Sequence, residues 1–91
     1  MAYTSESIAS RIAWCRLQKT QSSALLDLEA WHAEEEGLRD ALLNRDHTNQ
    51  YQHCPLGVFK RYVMGFQDGQ ALIHAAEVDQ HFAIPAHRTD V

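Results

Sequence analysis

The stretch Ser23-Ala24-Leu25-Leu26-Asp27-Leu28-Glu29-Ala30-Trp31-His32-Ala33-Glu34-Glu35-Glu36-Gly37-Leu38-Arg39-Asp40-Ala41-Leu42-Leu43 decides the fold class. Its apolar residues Leu25, Leu28, Trp31, Leu38 and Leu42 recur three to four apart, the spacing of one helix face. The stretch contains no proline, and its single glycine is Gly37.

Upstream, Ile8, Ile12 and Cys15 form a second stripe, flanked by Trp14 and Leu17. Thr4 can cap that helix, with Tyr3 and Ile8 placed as a hydrophobic staple. At about 100° per residue the two stripes lie roughly half a turn apart. A single rod over residues 5–43 would therefore face opposite ways along its length. The polar segment Gln18–Ser23 is the expected break, giving two helices.

Downstream, Asn44–His53 reads as a polar loop. Pro55 suits the first position of a helix carrying Phe59, Tyr62, Val63 and Phe66. Asp68-Gly69 reads as a turn, with Asp68 capping a fourth helix over about 69–83. Pro85 disfavours helix at Ile84, and residues 86–91 read as a loose tail. β-branched residues are sparse and strict alternation is absent. The expectation is one all-α domain over residues 1–91, a four-helix bundle or irregular helical hairpin assembly with a short third helix. Short connections suggest antiparallel packing.

Charge narrows the functions. The 91 residues include 8 basic and 12 acidic ones, for a net charge of −4. The basic residues are scattered, which argues against nucleic acid as the partner. No apolar run reaches the ~18 residues of a membrane helix. The first residues lack the basic and apolar regions of a signal peptide, and two cysteines are too few for a disulfide framework. A bacterial or phage cytoplasm is the expected setting.

Six histidines (His32, His47, His53, His74, His81 and His87) raise the question of a metal. Glu29 and His32 have the E-x-x-H spacing of carboxylate-bridged helical sites. His74, Glu77 and His81 fall three and four apart. Cys54 stands beside His53 at a helix start, where the dipole favours thiolate. His47 and His87 read as solvated.

The stretch Asp46-His47 … Cys54-Pro55-Leu56-Gly57-Val58-Phe59 … Gly65 resembles the chemoreceptor zinc-binding domain, over about residues 29–82. That family is a bacterial four-helix bundle that holds zinc with one Cys and three His. Cys54, Gly57 and Phe59 match its Cys-x-x-Gly-x-aromatic motif, and His81 matches a histidine near the end of its last helix. The resemblance implies zinc on Cys54 and His81, with His32 in the position of a third ligand. The sequence departs from the family in having Glu77 and Pro85 four residues either side of His81, where a second histidine belongs, and Phe59 where the family usually has Trp.

Glu35 falls inside the Leu28–Trp31–Leu38–Leu42 stripe, where a lone carboxylate is costly. An i,i+4 pair with Arg39 at an exposed stripe edge accounts for it; an ion pair at an interface is the alternative. The run Glu34–Glu36 reads as a solvated face. Walker, dinucleotide and nucleophile-elbow motifs are absent, so the expected function is not enzymatic. A small helical regulator or inhibitor, acting by stoichiometric binding to a larger protein, is the leading expectation. Trp14, Trp31, Glu35 and Tyr62 are its candidate contact residues. Residues 72–78 are apolar nearly all round, which adds the expectation of a homo-oligomer. No cofactor is expected under this reading. A zinc-binding, redox-sensing bundle is the competing one.

Overall fold

In the computed structural model the backbone is described for residues 3–89 and side chains for residues 8–78. The chain is all-α: α1 (Tyr3–Gln21), α2 (Leu25–Leu43), a short α3 (Thr48–Tyr51) and α4 (Leu56–Thr89). Among the described residues no helix is long and apolar enough to cross a membrane.

The break between α1 and α2 falls where the opposed stripes require it. Hydroxyls at the end of α1 turn back on the chain: Thr20 Oγ1 donates to the Leu17 carbonyl at 2.7 Å and Ser22 Oγ to that of Gln18 at 2.8 Å. Such bonds compete with continued helix. Helix α2 stops at Asn44, the one non-glycine residue with positive φ (55°) among those described. Asn tolerates this left-handed cap. The amide of Arg45 then returns to the Asp40 carbonyl at 2.8 Å. Tyr3, expected in a staple with Ile8, has a side chain outside the described residues.

Three expectations are corrected. Asp68-Gly69 is not a turn: α4 runs unbroken from Leu56 to Thr89, through Pro85, so residues 86–89 continue the helix. A proline forfeits one backbone bond, a small share of the bonding in a 34-residue helix. The loop after α2 contains α3, its start held by the Asp46 carboxylate, which accepts the Thr48 amide at 2.8 Å. That bond and the Thr48 hydroxyl pull the Asp46 carboxyl below its usual range. Finally, the packing is not antiparallel throughout. Glu34 lies against Gly65 and Ala41 against Gly69, so α4 runs parallel to α2. Residues 44–55 travel back along α2, with His47 at Asp40 and Tyr51 at Glu36.

What lets α2 and α4 run side by side is a seam of small residues. Ala33, Gly37 and Ala41 stand four apart on α2, and Gly65 and Gly69 four apart on α4. A Cβ at Gly37 would lie 2.6 Å from the Phe66 nitrogen, and one at Gly69 would lie 2.7 Å from the Ala41 Cβ. A Cβ at Gly65 would fall on the Glu34 carbonyl oxygen. Backbone meets backbone here, with no room for a side chain at Gly37 or Gly65. Gly69 serves this approach and not a turn.

Helix α1 lies antiparallel to α2 and touches α4. Ile8, Cys15 and Leu38 form one buried cluster, with Ile12, Trp31, Leu72 and Ile73 against it. Ala33, Val58 and Tyr62 form a second, beside Tyr51, Cys54 and Val63. Central α2 is covered on several sides. This is why Glu34, Glu35 and Asp40 are buried, and why the run Glu34–Glu36 is not a solvated face.

Candidate functional site

Two polar centres lie on α2. The first is built on Asp40, which is fully buried. Its Oδ2 accepts the Tyr62 hydroxyl at 2.7 Å and lies 2.6 Å from His47 Nδ1. The Tyr62 oxygen in turn accepts the His47 amide at 2.8 Å. Glu36, one turn earlier, accepts the Tyr51 hydroxyl and lies 3.5 Å from His47 Nδ1. The Tyr51 and Tyr62 rings stack at 4.4 Å. Burial, reinforced by the bond to Asp40, pushes the Tyr62 phenol well above its ordinary range; burial and Glu36 do the same to Tyr51. Both phenols therefore stay protonated donors near neutrality. His47, expected in solvent, is half-buried here.

Among the described residues, Glu36, Asp40 and His47 are the one set of three metal-ligand types whose donor atoms lie within 4.8 Å of one another. Zinc ligands at 2.0–2.2 Å in a tetrahedron stand roughly 3.3 Å apart, so Asp40 and His47 as placed are set for each other. The 2.6 Å between His47 Nδ1 and Asp40 Oδ2 is a hydrogen-bond distance. The centre pins the returning segment to α2 and α4.

The second centre surrounds Glu34 and Glu35. Glu34 receives Arg11 at 3.0 Å, Arg61 at 2.8 Å and the Cys15 thiol at 3.5 Å. Arg61 also lies 4.1 Å over the Trp31 ring, and Arg11 reaches Asp68 at 3.0 Å. Burial, and then Glu34, push the Cys15 thiol up to about 12, so it donates and does not react. Glu35 receives Lys19 at 2.8 Å, Arg16 at 3.1 Å and Arg39 at 3.3 Å. The pair with Arg39 exists as expected, but the carboxylate is buried and not at an exposed edge.

Burial alone would raise the Glu35 pKa; Lys19 and Arg16 more than offset this, and it is lowered. A depressed carboxylate contributes stability that is present above its unfolded value, here 4.5, and lost as pH falls through the folded value. Melting followed by circular dichroism should therefore show an acid limb below about pH 4.5. Glu35→Gln should lower stability at neutral pH and flatten that limb.

Among the described residues, the expected metal ligands fall in two places. Cys54 and His32 line one cleft of about 300 Å³ with Leu28, Glu29, Tyr51 and Val58, outside the one close donor set. His74 and Glu77 are exposed on α4. The His81 side chain lies outside the described residues. Its position is nonetheless 25 residues beyond Leu56 on the same helix, roughly 38 Å at 1.5 Å per residue. Of the expected contact residues, Trp14 is half-exposed, Trp31 is partly covered by Arg61, and Glu35 is buried among cations. Tyr62 is fully buried and is a core residue, not an interface anchor.

The Asp40 centre and the cations of Glu34 escape a reading of the sequence. Asp40 and His47 face each other only because the chain reverses between them. No protein-family model, curated protein or solved structure matches this chain, and the resemblance to the zinc-binding domain rests on its motif residues alone.

Proposed function

We propose that this protein is a non-enzymatic regulatory module that acts by stoichiometric binding to a protein partner through one leucine-rich end. The supporting observation is where its large apolar side chains stand. Leu25, Leu26 and Leu56 are 70%, 58% and 65% exposed. Because α2 and α4 run parallel, the starts of both helices meet at one end, and Leu26 shares a cleft with Pro55 and Val58. The end of antiparallel α1 brings Leu17, 47% exposed, to the same end. Exposed apolar side chains gathered in this way mark interaction surfaces.

The rim carries both signs, Asp27 with Lys60 and Arg61, which suits a self-complementary two-fold contact. In the absence of another partner, the end is expected to meet a second copy.

Light scattering during size-exclusion chromatography tests this. Wild-type protein at tens of micromolar should have twice the chain mass. Leu26→Glu should be monomeric with unchanged helicity, since an exposed side chain contributes little to the protomer's own stability. A monomeric wild type would remove self-association. If Leu26→Glu also left heterologous binding unchanged, the leucine-rich end would be lost as the site.

A further inference from the structure

Four of the chain's eight basic residues gather on one face, in a protein of net charge −4. Arg16 and Lys19 come from α1, Arg39 from α2, and Arg45 from the segment after α2. The first three surround Glu35, a single carboxylate. One or two cations would satisfy it; three leave a surplus of positive charge. Arg45 lies 3.5 Å from Asp40 Oδ1 and shares a cleft with Glu36, so the four cations face three carboxylates, Glu35, Glu36 and Asp40, and one positive charge is left over.

The geometry also matters. Arg16 and Arg39 both reach the same Glu35 oxygen, Oε2, through Nε. Glu35 is buried and thereby fixes where both guanidinium groups sit. Both side chains bind it through Nε while remaining 54% and 48% exposed. Two forks held at one anchor are preorganised for an oxyanion. The same arginines line a cleft of about 250 Å³ with Arg45, Ile12, Leu42 and Leu43. Its floor is apolar, and Leu42 and Leu43 are exposed. The volume lies below the ~300–1,000 Å³ of drug-sized sites.

We propose that this cleft binds a small amphiphilic anion, an alkyl carboxylate, with its head on Arg16, Arg39 and Arg45 and its chain against Ile12, Leu42 and Leu43. The site lies apart from the leucine-rich end and does not depend on it. Relief of the clustered positive charge favours the head group, and removal of methylenes from water favours the tail, at ~0.8 kcal/mol per buried CH₂.

Thermal melting and calorimetric titration with sodium octanoate, acetate and inorganic phosphate, at matched ionic strength, test the proposal. Octanoate at about ten times its Kd should raise Tm by several degrees; acetate and phosphate should do less. Arg16→Gln or Arg39→Gln should each weaken octanoate about tenfold, as loss of one charge-assisted bond would, while leaving Glu35 two cations. Arg16→Lys and Arg39→Lys keep the charge, lose the fork, and should also weaken it. Leu42→Ser should weaken octanoate toward acetate. Gln52→Ala, exposed and outside this cleft, should change nothing. Octanoate no better than acetate would overturn the proposal. So would stabilisation that survives in the arginine variants, or a stronger response to phosphate than to octanoate.

Discussion

Gly65→Ala is expected to destabilise this protein strongly, whereas Gly57→Ala, eight residues earlier in the same helix, is expected to be neutral or slightly stabilising. Both glycines are helical, so both gain up to ~1 kcal/mol of helix propensity from alanine. They differ in what the new methyl meets. At Gly57 nothing lies within 4 Å. At Gly65 the methyl falls on the Glu34 carbonyl oxygen and also meets the Glu34 Cα at 3.1 Å. Those atoms are backbone in the central helix and cannot swing aside, so α2 and α4 must separate. The seam then opens along its length, at Gly37 and Gly69 too, and Glu34 moves away from Arg11 and Arg61. Overpacking costs typically 1–3 kcal/mol where side chains can adjust; against backbone we expect about 3 kcal/mol or more. A domain of this size has about 5–14 kcal/mol in all. Urea denaturation followed by circular dichroism is the measurement. Equal effects of the two substitutions would mean that the close approach does not hold the helices together.

The same glycines show where the sequence could be read and where it could not. The ends of α1 and α2 are local events, and local residues announce them: the hydroxyls of Thr20 and Ser22, the left-handed Asn44, and Pro55 before α4. Gly69 is different. Beside Asp68 it has the chemistry of a turn, and that reading divides α4 in two. Its real role depends on Gly65 four residues before it and on Ala33, Gly37 and Ala41 in another helix. Small residues at intervals of four in both segments are a visible signal, but one that has meaning only when the segments are considered as a pair. The parallel course of α4 follows from the same pairing; residues 44–55 can return along α2 because an extended chain reaches about 3.3 Å per residue against 1.5 Å in a helix.

The polar centres were hidden for a related reason. Glu34 and Glu35 lie in an acidic run that, by composition, belongs in water. Their cations stand 19, 23 and 27 residues away at Arg16, Arg11 and Arg61. Glu35 could be singled out because it interrupts an apolar stripe, and its Arg39 partner because it lies one turn away. Nothing local distinguishes Glu34 from Glu36. The histidines misled in the opposite direction. Spacing along α4 made His74 and Glu77 attractive as ligands, yet they stand exposed on one unbroken helix, 18 and 21 residues beyond Leu56.

Asp40→Ala is expected to cost about 3 kcal/mol or more, the largest loss of any single side-chain deletion among the polar residues. Asp40 is fully buried and is the shared acceptor for the Tyr62 hydroxyl and the His47 ring. Removing it leaves a buried phenol with no acceptor, and an unpaired buried polar group costs about 1–3 kcal/mol. It also releases His47, and with it the amide bond that His47 donates to Tyr62. Tyr62→Phe keeps the ring stack on Tyr51 and deletes only the hydroxyl, so we expect about 1–2 kcal/mol, as for loss of a hydrogen bond to a charged group. His47→Ala should cost less than Asp40→Ala, because the ring is 28% exposed and water can replace it at its edge. The Asp40→Ala/Tyr62→Phe double variant should lose less than the sum of the singles, since the two groups meet at one bond and each deletion has already broken it. Hydrogen exchange adds a readout specific to a pin. The amides of residues 44–55 should lose protection in Asp40→Ala well below the denaturant range of global unfolding, while the α2–α4 seam keeps its own. Uniform loss of protection throughout the chain would show instead that Asp40 supports the whole fold and not the returning segment.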